Sequence, residues 1–191
     1  MELVDVAEQL FLERGFSDTT MQMIAERAGA SKETLYRYFA SKELLFAEIV
    51  SRKAMQISGP DAALARGGSP EIVLTELGQG LIRTILSNQA SCLFRTVVAE
   101  AVRTPELGDL FYQRGPGLMA ERLAGYLELA SKRGELRCDD PLAAARLFLG
   151  AVASHYHVRM LVQSNWQPPA EAEVIKHVDA AVTMFLARYR S

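Results

Sequence analysis

Apolar residues recur three and four positions apart along this chain, and β-branched residues seldom alternate with polar ones. That pattern predicts an all-α fold. The spacing predicts helices over 2–14, 20–28, 32–39, 41–57, 70–88, 91–103, 105–133, 141–164 and 170–189. Three of the starts are written in one chemistry: Ser69-Pro70-Glu71, Thr104-Pro105-Glu106 and Asp140-Pro141. A side-chain oxygen there can accept from orphan amides, while proline occupies the first helical position, where a missing N–H costs nothing. Gly67-Gly68, Gly134, Pro168-Pro169 and Ser58-Gly59-Pro60 separate helices, and Gly115-Pro116-Gly117 predicts a break inside 105–133.

The first fifty residues differ in texture from the rest. Their helices are brief and their large anchors, Phe11, Phe39 and Phe46, are close together. This predicts a compact three-helix unit over 1–50 and a larger helical part over 51–191. The helix from Ser41 to Ile57 carries the chain from one to the other without a glycine or proline.

Composition narrows the function classes. With 49% hydrophobic and 23% charged residues the 191-residue chain can bury a substantial core. Cys92 and Cys138 have no CxxC spacing, which excludes a disulfide framework and a cysteine zinc site and fits a reducing cytosol. The longest apolar stretch, 142–154, is interrupted by Arg146 and falls short of the roughly 20 residues a bilayer needs, so no membrane span is expected. The opening Met1-Glu2-Leu3-Val4-Asp5 lacks the basic head and apolar run of a secretory signal, and a cytoplasmic protein is expected.

Residues 20–39 carry the chemistry. They read as two short helices around Gly29-Ala30, a helix-turn-helix in which Thr20 caps the first helix, Gly29 supplies a left-handed turn and Ser31 caps the second. Small Ala25 permits a close crossing. In the second helix Leu35 and Phe39 face inward, leaving Lys32, Thr34, Tyr36, Arg37 and Tyr38 outward. The net charge of −2 hides a local asymmetry. From Arg27 to Lys53 there are six basic residues (Arg27, Lys32, Arg37, Lys42, Arg52, Lys53) against three acidic (Glu33, Glu43, Glu48), whereas residues 1–26 hold one arginine and six acids. Basic charge therefore gathers where a duplex would dock. An amphipathic helix pair with a glycine turn that merely packs would share the spacing.

Leu10-Phe11, Gly15-Phe16, Thr19-Thr20, Ile24-Ala25, Ala28-Gly29-Ala30-Ser31, Thr34-Leu35-Tyr36, Tyr38-Phe39 and Ser41-Lys42-Glu43 together resemble the DNA-binding domain of TetR/AcrR-family transcriptional regulators. The resemblance implies that Lys32 and Thr34 lie at the major groove and that Tyr36, Tyr38 and Lys42 meet phosphates, with Thr20 and Arg37 on the same surface. Lys42, behind Ser41 at a helix start, would add backbone amides to its own charge. Glu33 stands where that family often has glycine; a carboxylate there either accepts from a cytosine amino group or repels phosphate. Family members usually carry a short basic extension before the first helix, whereas the first helix here begins almost at Met1, which leaves open whether an arm makes minor-groove contacts.

Leu93-Phe94-Arg95-Thr96-Val97-Val98-Ala99-Glu100-Ala101, then Thr104-Pro105-Glu106-Leu107, Gly134-Glu135-Leu136-Arg137 and Asp140-Pro141 with Ala143-Ala144 resemble the C-terminal domain of the AefR-like branch. That likeness implies a ligand-sensing and dimerising domain. For a small-molecule effector, Arg95, Tyr112, His155, Tyr156, Arg159, Met160 and Trp166 are candidate liners, each also compatible with a core or surface role. In the last helix Val174, Val178, Ala181, Phe185 and Tyr189 form one stripe and Ile175, Val182 and Leu186 another, one for the core and one for a partner. A homodimer through the eighth and ninth helices, 141–164 and 170–189, would match a palindromic DNA operator.

His155 and His157, two apart, point in different directions on a helix, and Arg95 and Glu100, five apart, do not face each other. Glu100 therefore reads as structural, through other helices. No nucleophile triad, P-loop, dinucleotide glycine motif or HExxH is present, and neither an enzyme nor a cofactor is expected. The reading is a ligand-responsive repressor released from its operator by an effector. Its rivals are an effector-independent dimeric DNA-binding regulator and an all-α metal-binding enzyme centred on Glu100, His155 and His157.

Overall fold

The computed structural model describes residues 3–56, with backbone alone for 53–56, and residues 68–163 and 167–191. Its helices are α1 (Leu3–Arg14), α2 (Met21–Arg27), α3 (Lys32–Tyr38), α4 (Lys42–Gln56), α5 (Pro70–Leu86), α6 (Asn88–Glu100), α7 (Pro105–Arg114), α8 (Pro116–Lys132), α9 (Pro141–Val162) and α10 (Glu171–Tyr189). Among the described residues there is no strand, only an isolated antiparallel bridge between Leu136 and Arg190.

The helix starts at Pro70, Pro105 and Pro141 fall where the sequence put them, but one expected cap mechanism holds in only one of the three. The Asp140 carboxylate accepts from the Ala143 amide at 3.0 Å, whereas neither Ser69 nor Thr104 makes a side-chain cap bond. Proline's fixed φ suffices to start those two helices. The break expected at Gly115 is present and separates α7 from α8. The break between α5 and α6 falls at Ser87, whose hydroxyl donates to the Thr84 carbonyl at 2.8 Å. No glycine or proline marks it, and the sequence reading placed it two or three residues later.

Packing divides the chain into two compact units, Met1–Met55 with Asn88–Gly117, and Gln56–Ser87 with Leu118–Ser191. The first thus recruits α6 and α7, beyond the three-helix unit read from the sequence. Its centre is an aromatic trio, Phe11, Phe16 and Phe46, with ring centroids 5.3 to 5.7 Å apart. Phe46 meets both other rings edge-to-face, which adds to the area these rings bury. Phe39, expected among the anchors, is only half-buried, while Phe16 takes its place. Leu93, Val97 and Leu107 bring α6 and α7 into the same core.

The second unit buries longer apolar faces. Val73, Leu74, Leu77 and Ile82 of α5 are buried, as are Ala144, Phe148 and Val152 of α9 and Val178, Val182 and Phe185 of α10. Gly78 lets α5 and α10 approach: a methyl group there would lie 2.8 Å from Val178 Cγ1. The second stripe expected on the last helix is mostly used up inside this unit, since Val182 and Leu186 are buried and only Ile175 is exposed. The apolar positions left open are instead Leu147, Val158, Leu161 and Val162 on α9 and Ile175 and Met184 on α10. No helix among the described residues is long and apolar enough to cross a membrane.

Candidate nucleic-acid interface

Helices of seven residues are too short to persist on propensity, so their ends must be fixed by specific bonds. α2 starts at Thr20, whose hydroxyl oxygen accepts from the Met23 amide at 3.2 Å. It ends with Gly29 at φ +65°, which lets the Gly29 amide reach the Glu26 carbonyl and the Ala30 amide reach the Ala25 carbonyl at 2.9 Å. That paired closure needs a left-handed residue. Ser31 then caps α3 by accepting from the Thr34 amide at 3.1 Å. Leu35, fully buried, is the anchor of α3.

With one side chain buried, the rest of α3 is presented outward. Lys32, Glu33, Tyr36, Arg37 and Tyr38 are exposed, and Thr34 is half-buried with its hydroxyl 3.0 Å from that of Ser31. Thr20 is exposed beside them in the chain order of the motif. The Lys32 ammonium lies 5.7 Å from the centre of the Tyr36 ring and the Arg37 guanidinium 5.3 Å from that of Tyr38. Each cation is thus held near an aromatic face that also carries a phenol hydroxyl. The Glu33 backbone amide, and then the Ser31 hydroxyl, hold the Glu33 carboxyl below the usual carboxylate range. Its charge therefore sits at the start of α3.

The basic charge counted along the sequence is less available than its sum suggests. Arg27 makes a two-pronged bond to Glu13, both contacts 2.8 Å. Arg52 pairs with Glu48 at 3.2 Å and lies 4.0 Å from Asp5. Lys42, expected at a phosphate, is engaged within the protein. Its ammonium donates to the carbonyls of Phe16 (2.7 Å) and Thr19 (2.9 Å), approaches that of Ser17 at 3.5 Å, and sits 4.3 Å from the centre of the Phe16 ring. Burial pulls its pKa down, opposed by the nearby Glu43, Glu100 and Asp18. Lys42 is an internal staple between α4 and the loop before α2. The Ser41 hydroxyl, meanwhile, takes the Leu44 amide at 3.2 Å, so that helix start is satisfied from within. Lys53 lies outside the described side chains. Among the described basic residues of this segment, Lys32 and Arg37 make neither an ion pair nor a bond to a carbonyl, although Lys32 attracts the neighbouring Glu33 carboxylate.

The candidate effector residues fall in both units. Arg95, on α6, and Tyr112, on α7, belong to the first and are exposed. His155, Tyr156 and Arg159 lie on α9 in the second. Tyr156 and Met160 are buried there, and Arg159 bonds to Gln163 at 3.0 Å. Trp166 lies outside the described residues. The Tyr156 ring meets those of His155 and His177 edge-on, at 5.5 and 5.1 Å, and His177 Nε2 is 3.1 Å from the Val152 carbonyl. Sequence reading missed His177, which shares no local spacing with α9. Burial pushes the His157 imidazole below its ordinary pKa. Glu100 bonds to Ser17 within the first unit, whereas His155 and His157 belong to the second.

Comparison with known proteins places this architecture. Residues 3–49 match the family described as bacterial regulatory proteins, tetR family, and residues 72–191 match the AefR-like transcriptional repressor C-terminal domain. The Bacillus subtilis HTH-type transcriptional regulator YfiR is 29% identical over 159 residues, covering 78% of this chain and 73% of that protein. A TetR-family regulator from Mesorhizobium loti superposes with a TM-score of 0.83 at 30% identity, covering 99% of this chain and 95% of its own. The Flavonoid-responsive Regulator FrrA superposes at 0.78 with 33% identity, covering 98% and 95%. The short capped helix pair, its outward α3 and the helical unit that follows are those of a transcriptional regulator rather than an enzyme, and the chain belongs to the TetR family, with an AefR-like C-terminal domain.

Proposed function

We propose that this protein is a homodimeric, ligand-responsive regulator, a repressor released from a palindromic operator when a small-molecule effector binds. The observation that carries the DNA half is the outward side of α3, where Lys32 and Arg37 are open to phosphate and Thr34 and Glu33 lie at the helix start. In this reading Glu33 and Thr34 approach base edges, Lys32 lies at the major groove within reach of the phosphates that flank it, Tyr36, Arg37 and Tyr38 meet phosphates, and Thr20 adds a hydroxyl. Lys42 is left out of the contact set because its ammonium is already engaged. Two copies of α3 would enter successive major grooves about 34–36 Å apart.

Uncovered apolar residues support a dimer through α9 and α10. Leu147 is 66% exposed, Val162 74% and Met184 62%, in helices whose other faces form a core. A second copy would remove that surface from water. For the effector, α9 carries the buried Tyr156 and Met160 and the half-buried His157, aromatic and weakly polar groups of the kind that contact a planar aromatic molecule. A relative 33% identical is named as flavonoid-responsive, which makes flavonoids the first compounds to try.

Selection of bound duplexes from a random pool tests the reading. It should recover a two-fold symmetric site whose retention falls when an active flavonoid is added. Recovery of no duplex, or of an asymmetric single site, would overturn it. In sedimentation, Val158→Glu should shift the protein from dimer to monomer and weaken binding to the selected duplex.

A further inference from the structure

The loop from Gly15 to Thr20 joins α1 to α2, and its last residue caps α2. Almost every group in it is held. Gly15 turns at φ +86°, and Phe16 belongs to the aromatic trio. The hydroxyl of fully buried Thr19 is shared between the carbonyls of Gly15 at 2.7 Å and Leu10 at 3.2 Å. Lys42 collects the Phe16 and Thr19 carbonyls from the α4 side. Ser17 and Asp18 are exposed side chains within it; Asp18 adds attraction for the Lys42 ammonium, and the Ser17 hydroxyl donates to Glu100 Oε2 at 2.6 Å across 83 residues of sequence.

Glu100 is the last residue of α6, where a carboxylate opposes the helix dipole. Its own helix therefore gains nothing from it there. What the carboxylate contributes lies outside α6: a short charge-assisted bond to the loop, and attraction for the Lys42 ammonium on the loop's other side. The matched helix-turn-helix model spans 3–49, so Glu100 belongs by sequence to the C-terminal domain and by packing to the reading unit.

We infer that Glu100 is a positioning residue for operator recognition: by gripping Ser17 it fixes the loop that sets the start of α2, and through the α2–α3 turn the aim of α3. This rests on the DNA-binding reading. Loss of the grip lets the loop and α2 shift without unfolding them, since Phe16, Thr19 and Lys42 still hold. Specific binding, which needs α3 aligned with base edges, suffers, while phosphate attraction does not.

The test uses the full chain, a duplex selected by the parent, and an unrelated duplex of equal length. Ser17→Ala, Glu100→Ala, their double variant and Glu100→Gln are compared by equilibrium binding and thermal melting. Ser17→Ala and Glu100→Ala should each weaken the selected duplex about tenfold, as expected from losing a charge-assisted bond. The double variant should fall no further, and the unrelated duplex should keep its affinity. Glu100→Gln retains an oxygen that accepts from Ser17 and should bind close to the parent. If Glu100 acts only through its negative charge, Glu100→Ala and Glu100→Gln will both tighten both duplexes and Ser17→Ala will change nothing, which overturns the inference. Equal weakening on both duplexes with a large fall in melting temperature also overturns it, as a merely structural role. A parent that selects no duplex refutes the DNA-binding reading itself.

Discussion

The two units of this molecule are built on opposite principles. In the first, short helices are held by individually placed groups: Thr20 and Ser31 as caps, Gly29 as a left-handed closure, Leu35 as one anchor and Lys42 as one staple. In the second, helices of 17 to 22 residues are held by broad apolar faces, and one close approach at Gly78 sets how near α5 and α10 lie. A surface that must present a helix at a fixed angle tolerates little slack, so its supports are specific. A surface that joins copies or encloses a ligand needs area, which many residues supply together.

That contrast can be broken first at Leu35. Leu35→Ala should cost about 2–5 kcal/mol of stability and abolish selective binding, because no other residue of α3 is buried to share the load. Denaturant unfolding and duplex titration read both effects. Next, Gly78→Ala should destabilise by about 1–3 kcal/mol, since stiff Val178 stands 2.8 Å from the new methyl. Gly125→Ala, in α8 with nothing within 4 Å, should instead stabilise by about 0.5–1 kcal/mol. Opposite signs from two glycines of one unit would locate its tight contact. Ser31→Ala should cost about 1 kcal/mol through the lost cap, and weaken selective binding as the start of α3 frays.

The smallest effect is set by pH. Burial lowers the His157 pKa, so the folded state resists its protonation while an unfolded imidazole accepts a proton below about pH 6.5. The unfolded chain then binds more protons, and stability falls as the pH drops below that value, being fully present above it. Between pH 7.5 and 5.5 the parent should lose more melting temperature than His157→Gln. An equal loss would mean that the ring titrates as freely folded as unfolded.

The reading unit was the more legible of the two for a physical reason. Caps, a left-handed glycine and a proline start are local chemistry, so α2 and α3 emerge within a residue of the expected ends. Long-range partners leave no such trace. Charge counting found Lys42 but could not foresee carbonyls 23 to 26 residues away, nor that Glu13 would claim Arg27. Glu100 was read as structural, yet nothing near it in sequence points to Ser17. In the second unit, periodicity found the last helix but not which of its stripes would be used up, because Val182 and Leu186 are claimed by the unit's own core. The break at Ser87 carries no glycine or proline to announce it.

The central claim is that DNA meets the open cations of α3 and not those paired elsewhere. Salt dependence tests it most directly, because each phosphate contact releases counterions. With Lys32 and Arg37 open in each of two copies, the logarithm of the binding constant should fall against that of salt concentration with a slope of about −4. Lys32→Ala should make that slope shallower by about two per dimer, while Arg27→Ala should leave it at the parent value. A slope that changes with Arg27 and not with Lys32 would contradict the account.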